Sequence, residues 1–495
     1  MTTGWARIIY SYTGRHPSLC IKSGNMALLI PSLEPPHRRL FLLSTMLMKR
    51  KGGAAQPPMP TGWLPVVGHL HLLSSKSQAL KETFSRWHEE YGPVLMLQLG
   101  LRGVLVVSSW EMAKECFTTN NLAFSNRLLS AAAKRIAAEE MLSNRRIRSF
   151  GDLRASEIDA QVSRTYRLWL ANHRQPLKVN MRKLVEELTF NVVARTVAGE
   201  DCIVSRGGND DKAREFARCS REAVKLFMVF VASDFFPFLE VLDIKGWIGT
   251  MKRVARELDT FLGRCKESTS DYRSHDFIDV LLSHFSEDEG ANRAVKCGVT
   301  VRRNPVSPVQ SKSMMTAGND STASAMIRTI YLLLLHPNAL KKVQEELDHH
   351  AAIKESLRLG PPTPLLALRE SIEDCQVGGF CVPAGTKLLV NLWKIHHDLR
   401  VWADPDQFQP ERFLGSNVNV QGLDFQLLPF GSGRRMCPAI SFALRVVHIA
   451  LARLLQGFDM KLLAADSSFD DDNPLGFGTT LNVLLAPRLP QAFYG

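Results

Sequence analysis

The chain lacks most of the signatures that announce a chemistry. Its nine cysteines are an odd, scattered set with no C-x-x-C among them, which argues against a disulfide framework and against a zinc site built on paired thiols. There is no G-x-S-x-G, no Walker loop and no G-x-G-x-x-G, so serine-hydrolase, nucleotide-phosphate and dinucleotide chemistry find no anchor. No zinc-finger spacing and no aromatic-basic RNA motif occur, so nucleic acid is not an expected partner, although 61 basic residues against 49 acidic give a net charge of +12. That balance leaves an acidic partner, a membrane surface or an ordinary solvated basic surface. The pairs His349-His350 and His396-His397 have no ligand frame for zinc and read as solvated loop histidines. Internal repeats and low-complexity tracts are absent. No apolar run reaches the roughly 20 residues of a membrane span. MALLIPSL (26–33) and LFLLSTMLM (40–48) are short and separated by Glu34, Arg38 and Arg39, but the second runs into Lys49-Arg50-Lys51, the order seen at the end of a signal anchor. Residues 1–55 therefore read as an irregular leader or truncated anchor, and 56–495 as the main domain.

What is present is apolar mass and helical periodicity. Apolar residues make up 45% of the chain, ample for a large core. QPPMPTGWLPVVGHL (56–70) is too proline-rich to be helical and reads as a stiff extended hinge. A helix fits 78–91. VLMLQLG and VLVVSS flank Leu101-Arg102-Gly103 as a β-hairpin, and helical character resumes over Val107 to Thr119. From 150 to 285 the pattern is mostly helical. Segment 294–312, with Pro305 and Pro308, reads as a loop, followed by a helix over 314–337. NALKKVQEELDHH and AAIKESLRLG read as two further helices. FCVPAGTKLLVNLW (380–393) reads as a strand pair turning through Pro383-Ala384-Gly385, and a last helix runs from just after Cys437 to about Gln456. The class is mainly α with small β-sheets.

One cysteine stands in an exceptional setting. PFGSGRRMCPA (429–439) places Cys437 after two glycines and two arginines and before a proline. Pro438 suits the first turn of a helix. A thiol at a helix N-terminus beside Arg434 and Arg435 is expected to ionise readily. Gly431 and Gly433 let the backbone turn sharply beside something flat. A thiolate on such a loop with an adjacent guanidinium suits a metal porphyrin, with sulfur to iron and Arg435 to a propionate. The plain alternative is a buried structural cysteine.

The spacing F-x-x-G-x-R-x-C, carried by Phe430, Gly433, Arg435 and Cys437, resembles the haem-binding loop of the cytochrome P450 superfamily. Glu355 and Arg358 in KESLR are similar to that family's E-x-x-R, and the i, i+3 spacing lets them pair on one helix face. Arg412 in PERF resembles the third member of the same triad. AGNDST (317–322) resembles the motif of the long distal helix. There Gly318 leaves room beside the iron, and an acid with a hydroxyl, Asp320 with Ser321 or Thr322, can pass protons towards dioxygen. Arg369 in PPTPLLALRE matches a second propionate-contacting arginine. SSWEMAKECFTTNNLAFSNR and PAGTKLLVNLWKIHHDLRVWADPDQFQPERF look like the plant microsomal group with alkaloid demethylases and terpenoid or phenolic hydroxylases.

The resemblance covers roughly 56–490. It implies the P450 fold, with haem (heme b, one iron) between the distal helix and the Cys437 loop. It also implies a monooxygenase that takes electrons from NADPH through a cytochrome reductase, with dioxygen and a small apolar substrate. The location implied is the cytosolic face of the endoplasmic reticulum membrane. Arg434, Arg445 and Arg453 are candidates for docking an acidic reductase face.

Three stretches depart from the family pattern. Where it has W-x-x-x-R, this chain places Ser130 and Lys134 after Arg127, which makes Lys134 the candidate propionate donor. DHH and AAIKESLR meet with no connector, and the prolines of 294–312 fall where the distal helix should begin. Ala439 stands where glycine is usual. Two other readings stay open: a haem-thiolate isomerase or dehydratase, and a degenerate chain that holds little haem.

Overall fold

The structure is a computed structural model that describes residues 55–64, 67–73, 77–125, 151–198, 306–346, 349–464 and 480–494, with isolated positions between 218 and 260 and at 467. The leader, Ser130, Lys134 and residues 294–305 lie outside the described residues. All that follows concerns the unit Ala55–Gly495.

Among the described residues, nine named helices and three small sheets make up most of the regular structure. The helices are α1 (Ser77–Tyr91), α2 (Trp110–Phe117), α3 (Gly151–Ala171), α4 (Met181–Ala198), α5 (Val306–Leu335), α6 (Pro337–Glu346), α7 (His349–Leu359), α8 (Leu392–His396) and α9 (Ile440–Gly457). Side-chain caps start several of them. Ser109 Oγ accepts from Met112 N–H at the head of α2, Asn180 Oδ1 from Lys183 N–H at the head of α4, and Asn391 Oδ1 from Lys394 N–H at the head of α8. Each satisfies an N–H that the first turn leaves without a partner.

The largest sheet runs β1 (Val94–Leu99), β2 (Arg102–Val107), β7 (Lys387–Val390), β4 (Arg369–Glu370). The hairpin expected around Leu101-Arg102-Gly103 is β1 and β2, with Val94 opposite Val107. A second sheet orders β3 (Leu177–Asn180), β9 (Asn482–Pro487) and β8 (Phe458–Leu462), and a third pairs β5 (Cys375–Val377) with β6 (Phe380–Val382).

Several sequence expectations need correction. Val107 is the last residue of β2, and the helix after it spans only Trp110–Phe117, because Ser109 caps it. FCVPAGTKLLVNLW does not fold on itself. Its first half closes a hairpin with β5, while its second half runs parallel to β2, Val104 to Lys387 through Val107 to Val390. The mostly helical 150–285 stretch contains the strand β3, paired with the distant β9. Helix α5 starts at Val306, so 306–312 is helix rather than loop. Pro308 is in its first turn, where no intrahelical N–H bond is lost. His349 and His350 open α7 and do not end the preceding helix.

The core forms where α5 and α4 lie together and α9 packs beside them. Val185, Val193, Met326, Ile330, Val446, Leu451 and Leu454 are all buried in one cluster. Helix α9 is the one described helix long and apolar enough to cross a membrane, yet half of its residues are buried against the rest of the chain. That is the behaviour of a core helix.

Candidate functional site

The Cys437 loop is held from three directions. Gly431 (φ +71°) and Gly433 (φ +68°) reverse the chain through a region that side chains avoid. Cys437 N–H then donates to Phe430 O at 3.0 Å and closes the loop. Ser432 is buried; its hydroxyl donates to Gly422 O at 2.5 Å and its carbonyl accepts from Arg369 Nη2 at 2.8 Å. The Arg369 guanidinium lies 4.2 Å from the Phe117 ring centroid of α2. The loop also rests on the end of α2, since Asn121 Oδ1 accepts from Arg434 N–H at 2.9 Å. The role of Asn121 was not legible in the sequence, because no motif marks it.

This clamp makes the two glycines unequal. A Cβ on Gly433 would stand 2.7 Å from Asn121 Oδ1 and 2.9 Å from the Phe117 carbonyl oxygen, whereas one on Gly431 meets Leu366 at an ordinary 3.7 Å. The positive φ alone costs about 1–2 kcal/mol for a side-chain-bearing residue, and only Gly433 adds a backbone clash. Gly433→Ala is expected to lose several-fold more bound haem than Gly431→Ala in purified protein. Equal loss would contradict the clamp.

The thiol itself corrects the sequence reading. Helix α9 begins at Ile440 with Ala439 as its N-cap, so Pro438 precedes the helix and Cys437 lies further out than a first-turn position. Burial pushes the Cys437 thiol up, and a hydrogen bond from the Ala439 backbone only partly offsets this. Arg435 gives no compensating charge contact, since its Nε donates to Ser125 O at 2.7 Å. In the protein alone the thiol is therefore held protonated, and a thiol that binds iron must give up that proton. Burial likewise pushes the Cys116 and Cys375 thiols up, as expected of inert cysteines. Ala439 has φ −97° and ψ 16° and accepts from Ala443 N–H at 2.8 Å, so alanine fits this cap without strain.

The E-x-x-R and PERF motifs come together in a buried ion-pair network. Glu355 and Arg358 are both fully buried on α7. Arg358 Nε and Nη2 each donate to Glu355 at 2.8 Å, and Arg412 Nε donates to Glu355 Oε1 at 3.1 Å. Gln409 N–H adds a fourth bond at 3.0 Å, and Arg358 Nη1 reaches His396 O at 2.8 Å.

The histidine pair takes a different role from the expected one. His396 is fully buried. Its Nε2 accepts from Leu428 N–H at 2.9 Å while Nδ1 faces Arg358 O at 3.2 Å, so one neutral tautomer links α7 to the segment that enters the Cys loop. Burial, then His397 and Arg358, lowers its pKa from 6.5 to about 3. His397, stacked on Trp393 at 4.4 Å, falls to about 4, chiefly through burial. The unfolded chain therefore takes up protons first as pH falls, and stability is lost between about 6.5 and 3. His396 alone accounts for on the order of 2 kcal/mol by pH 5. Urea midpoints at pH 7 and pH 5 are expected to differ more in the native chain than in His396→Gln, whose amide can still bond Arg358 O and Leu428 N–H. Equal differences would show that His396 is not held neutral.

The AGNDST stretch lies on α5, but its members face different ways. Asp320 is buried, and its Oδ1 accepts from Asn319 Nδ2 at 3.1 Å, while Asn319 Oδ1 accepts from Thr189 Oγ1 of α4 at 2.8 Å. Ser321 is half-buried and donates to Ala317 O at 2.6 Å, Ala317 is exposed, and Thr322 is buried. Ala317 and Ser321 lie one turn apart on a less buried face of this part of α5, beside the buried Asn319, Asp320 and Thr322. The acid and the hydroxyl do not bond each other here. Gly318 lies beside Val193 of α4, where a Cβ would be in ordinary contact at 3.9 Å.

The donor set fits haem on its proximal side. It comprises one thiol on a double-glycine loop, with Arg369 and Arg435 in contact with that loop or its supports. No group of three or more His, Cys, Asp or Glu able to hold a bare metal ion occurs among the described residues.

Residues 57–484 match the Cytochrome P450 family. The chain is 35% identical to xanthotoxin 5-hydroxylase of Arabidopsis thaliana, over 94% of this chain and 99% of that protein. It is 36% identical to flavonoid-6-hydroxylase of Ocimum basilicum, over 88% of this chain and 92% of that one, and 35% identical to vinorine hydroxylase of Rauvolfia serpentina, over 90% and 93%. The alignment with the Arabidopsis protein runs to 523 positions, more than the 495 residues of this chain, so that relative carries segments with no counterpart here. With a cysteine loop, a buried Glu-Arg-Arg network and a family match across most of its length, the chain belongs to the cytochrome P450 family, as a haem-thiolate monooxygenase of the plant hydroxylase type.

Proposed function

We propose that the chain hydroxylates an apolar plant secondary metabolite at the cytosolic face of the endoplasmic reticulum, with electrons from NADPH through a cytochrome reductase. The observation that carries this reading is the intact proximal loop, with Cys437 presented by Gly431 and Gly433 and fixed to α2 and Arg369. Bound to a thiolate, haem iron activates dioxygen, with one oxygen atom entering the substrate and the other leaving as water.

The chain's own residues supply the surroundings. Cys437 loses its proton on ligation. Arg369 and Arg435 offer guanidinium groups for propionates, and Lys134, which lies outside the described residues, is proposed for the same role. Phe430 closes the loop through its carbonyl, which accepts from Cys437 N–H, and packs against the main core. Asp320 with Ser321 or Thr322 is the proposed proton relay towards dioxygen; because Ser321 Oγ donates to Ala317 O, the relay requires that hydroxyl to turn away from the carbonyl. Arg434, at the rim of the Cys loop, is suited to an acidic reductase face; Arg453 is already paired with Asp159 at 3.0 Å.

The relatives' names make xanthotoxin, a flavonoid and vinorine the first substrates to try. Incubation with reductase, NADPH and isotopically labelled dioxygen is expected to give a product that carries one labelled oxygen atom. A product formed without dioxygen would instead support an isomerase or dehydratase. A second reading, a chain that holds little haem, is favoured by the segments it lacks relative to the Arabidopsis protein. Haem content after expression separates that reading from the first.

A further inference from the structure

A cavity of about 300 Å³ lies between α7, the stretch Asn419–Gln421 and α9. Its volume is at the lower end of small-molecule sites. Ile353 and Leu357 of α7, Val420 of the connecting stretch, and Leu444 of α9 make apolar walls. Two permanent cations, Lys354 and Arg445, stand in the same lining, and His350 and His448 face each other there with ring centroids 3.9 Å apart. No carboxylate is among the lining residues.

The charges are not neutralised locally. Lys354 Nζ donates to the Val418 carbonyl at 2.8 Å and lies 5.7 Å from the Phe413 ring centroid. Neither contact cancels its charge. Arg445 makes no ion pair among the described residues, and its field already acts on Arg154, a buried guanidinium 5.6 Å from the Phe442 centroid. An apolar pocket rimmed by uncompensated cations favours a ligand that is apolar at one end and anionic at the other.

We propose that this cavity binds a small apolar carboxylate, with the chain or ring against Ile353, Leu357, Val420 and Leu444 and the carboxylate between Lys354 and Arg445. Guanidinium offers a two-pronged contact to that group, and the ammonium adds a point charge. Its lining includes none of the residues assigned to the haem site, and the proposal rests on no assumption about the substrate of the monooxygenase.

Decanoate is a suitable probe, with decan-1-ol as its uncharged counterpart, tested on the full chain by isothermal titration. One saturable decanoate site is expected, with decan-1-ol at least tenfold weaker. Arg445→Glu, at an exposed position that leaves the fold intact, is expected to weaken decanoate at least tenfold. Leu444→Trp, which fills the cavity, is expected to do the same, with circular dichroism as the check on folding. Absence of saturable binding, equal affinity for the alcohol, or undiminished affinity in Arg445→Glu would each overturn the proposal. The last result would place decanoate elsewhere, including in the monooxygenase's own substrate space.

Discussion

Glu355→Ala is expected to lower stability by about 3–5 kcal/mol and to reduce the haem-loaded fraction at least tenfold. The reason is the burial of its partner. Arg358 has no solvent exposure and gives two of its hydrogen bonds to Glu355. Removing the carboxylate leaves a buried guanidinium without a counter-charge. It also strips a partner from Arg412 and from Gln409 N–H, which fix the chain segment leading towards the Cys loop. A loss of that size is a large fraction of the 5–15 kcal/mol that holds a typical domain together. Arg412→Ala is expected to cost less, since Arg412 keeps some solvent exposure and its other bonds go to the uncharged carbonyls of Ala403, Asp404 and the Gln409 side chain. Replacing the inner pair together, Glu355→Leu with Arg358→Met, is expected to recover part of the loss, because no charge is then stranded. Thermal midpoints and haem-to-protein ratios check all three. A Glu355→Ala chain within about 1 kcal/mol of the native one would show that the network is ornamental.

Cys437→Ser is the second large effect, and it differs in kind. Serine keeps the size and the backbone bonds of the loop, so Cys437 N–H to Phe430 O and the Ser432 contacts stay in place. The fold is expected to survive, with a thermal midpoint within a few degrees of the native chain when both are haem-free. What is lost is the soft sulfur donor, and with it the electron push that favours O–O cleavage. Oxygen-dependent turnover is expected to fall below detection. A Cys437→Ser chain that still hydroxylated would mean that another residue ligates the iron. Structural collapse without haem would instead make Cys437 a packing residue.

The contrast between these two variants reflects what could be read from the sequence. Glu355, Arg358 and Arg412 were legible as a linked set because a buried ion-pair network demands particular residue types at fixed spacing. The β1–β2 hairpin was legible because its partners are close in the chain. The pairing of β7 with β2 was not, since it joins Val104 to Lys387 across most of the domain, and a four-residue strand carries no label for a distant partner. His396 looked like a loop residue because IHHD is polar and short, and only the tertiary bonds from Leu428 and to Arg358 reveal a buried linker. The thiol's environment was misjudged for a related reason. Charges adjacent in sequence suggested an ionised sulfur, but Arg435 turns to Ser125, the helix starts later than expected, and burial decides the outcome. The separation of Asp320 from Ser321 follows from 100° per residue on a helix, which directs successive side chains to different neighbours.

The most direct test of the account is the reduced carbon-monoxide difference spectrum of the full chain. Thiolate ligation by Cys437 predicts a strongly red-shifted Soret band in the native protein that is absent in Cys437→Ser. A native chain that bound haem but gave an unshifted band, or one that retained the shifted band after the substitution, would contradict the assignment of Cys437 as the iron ligand.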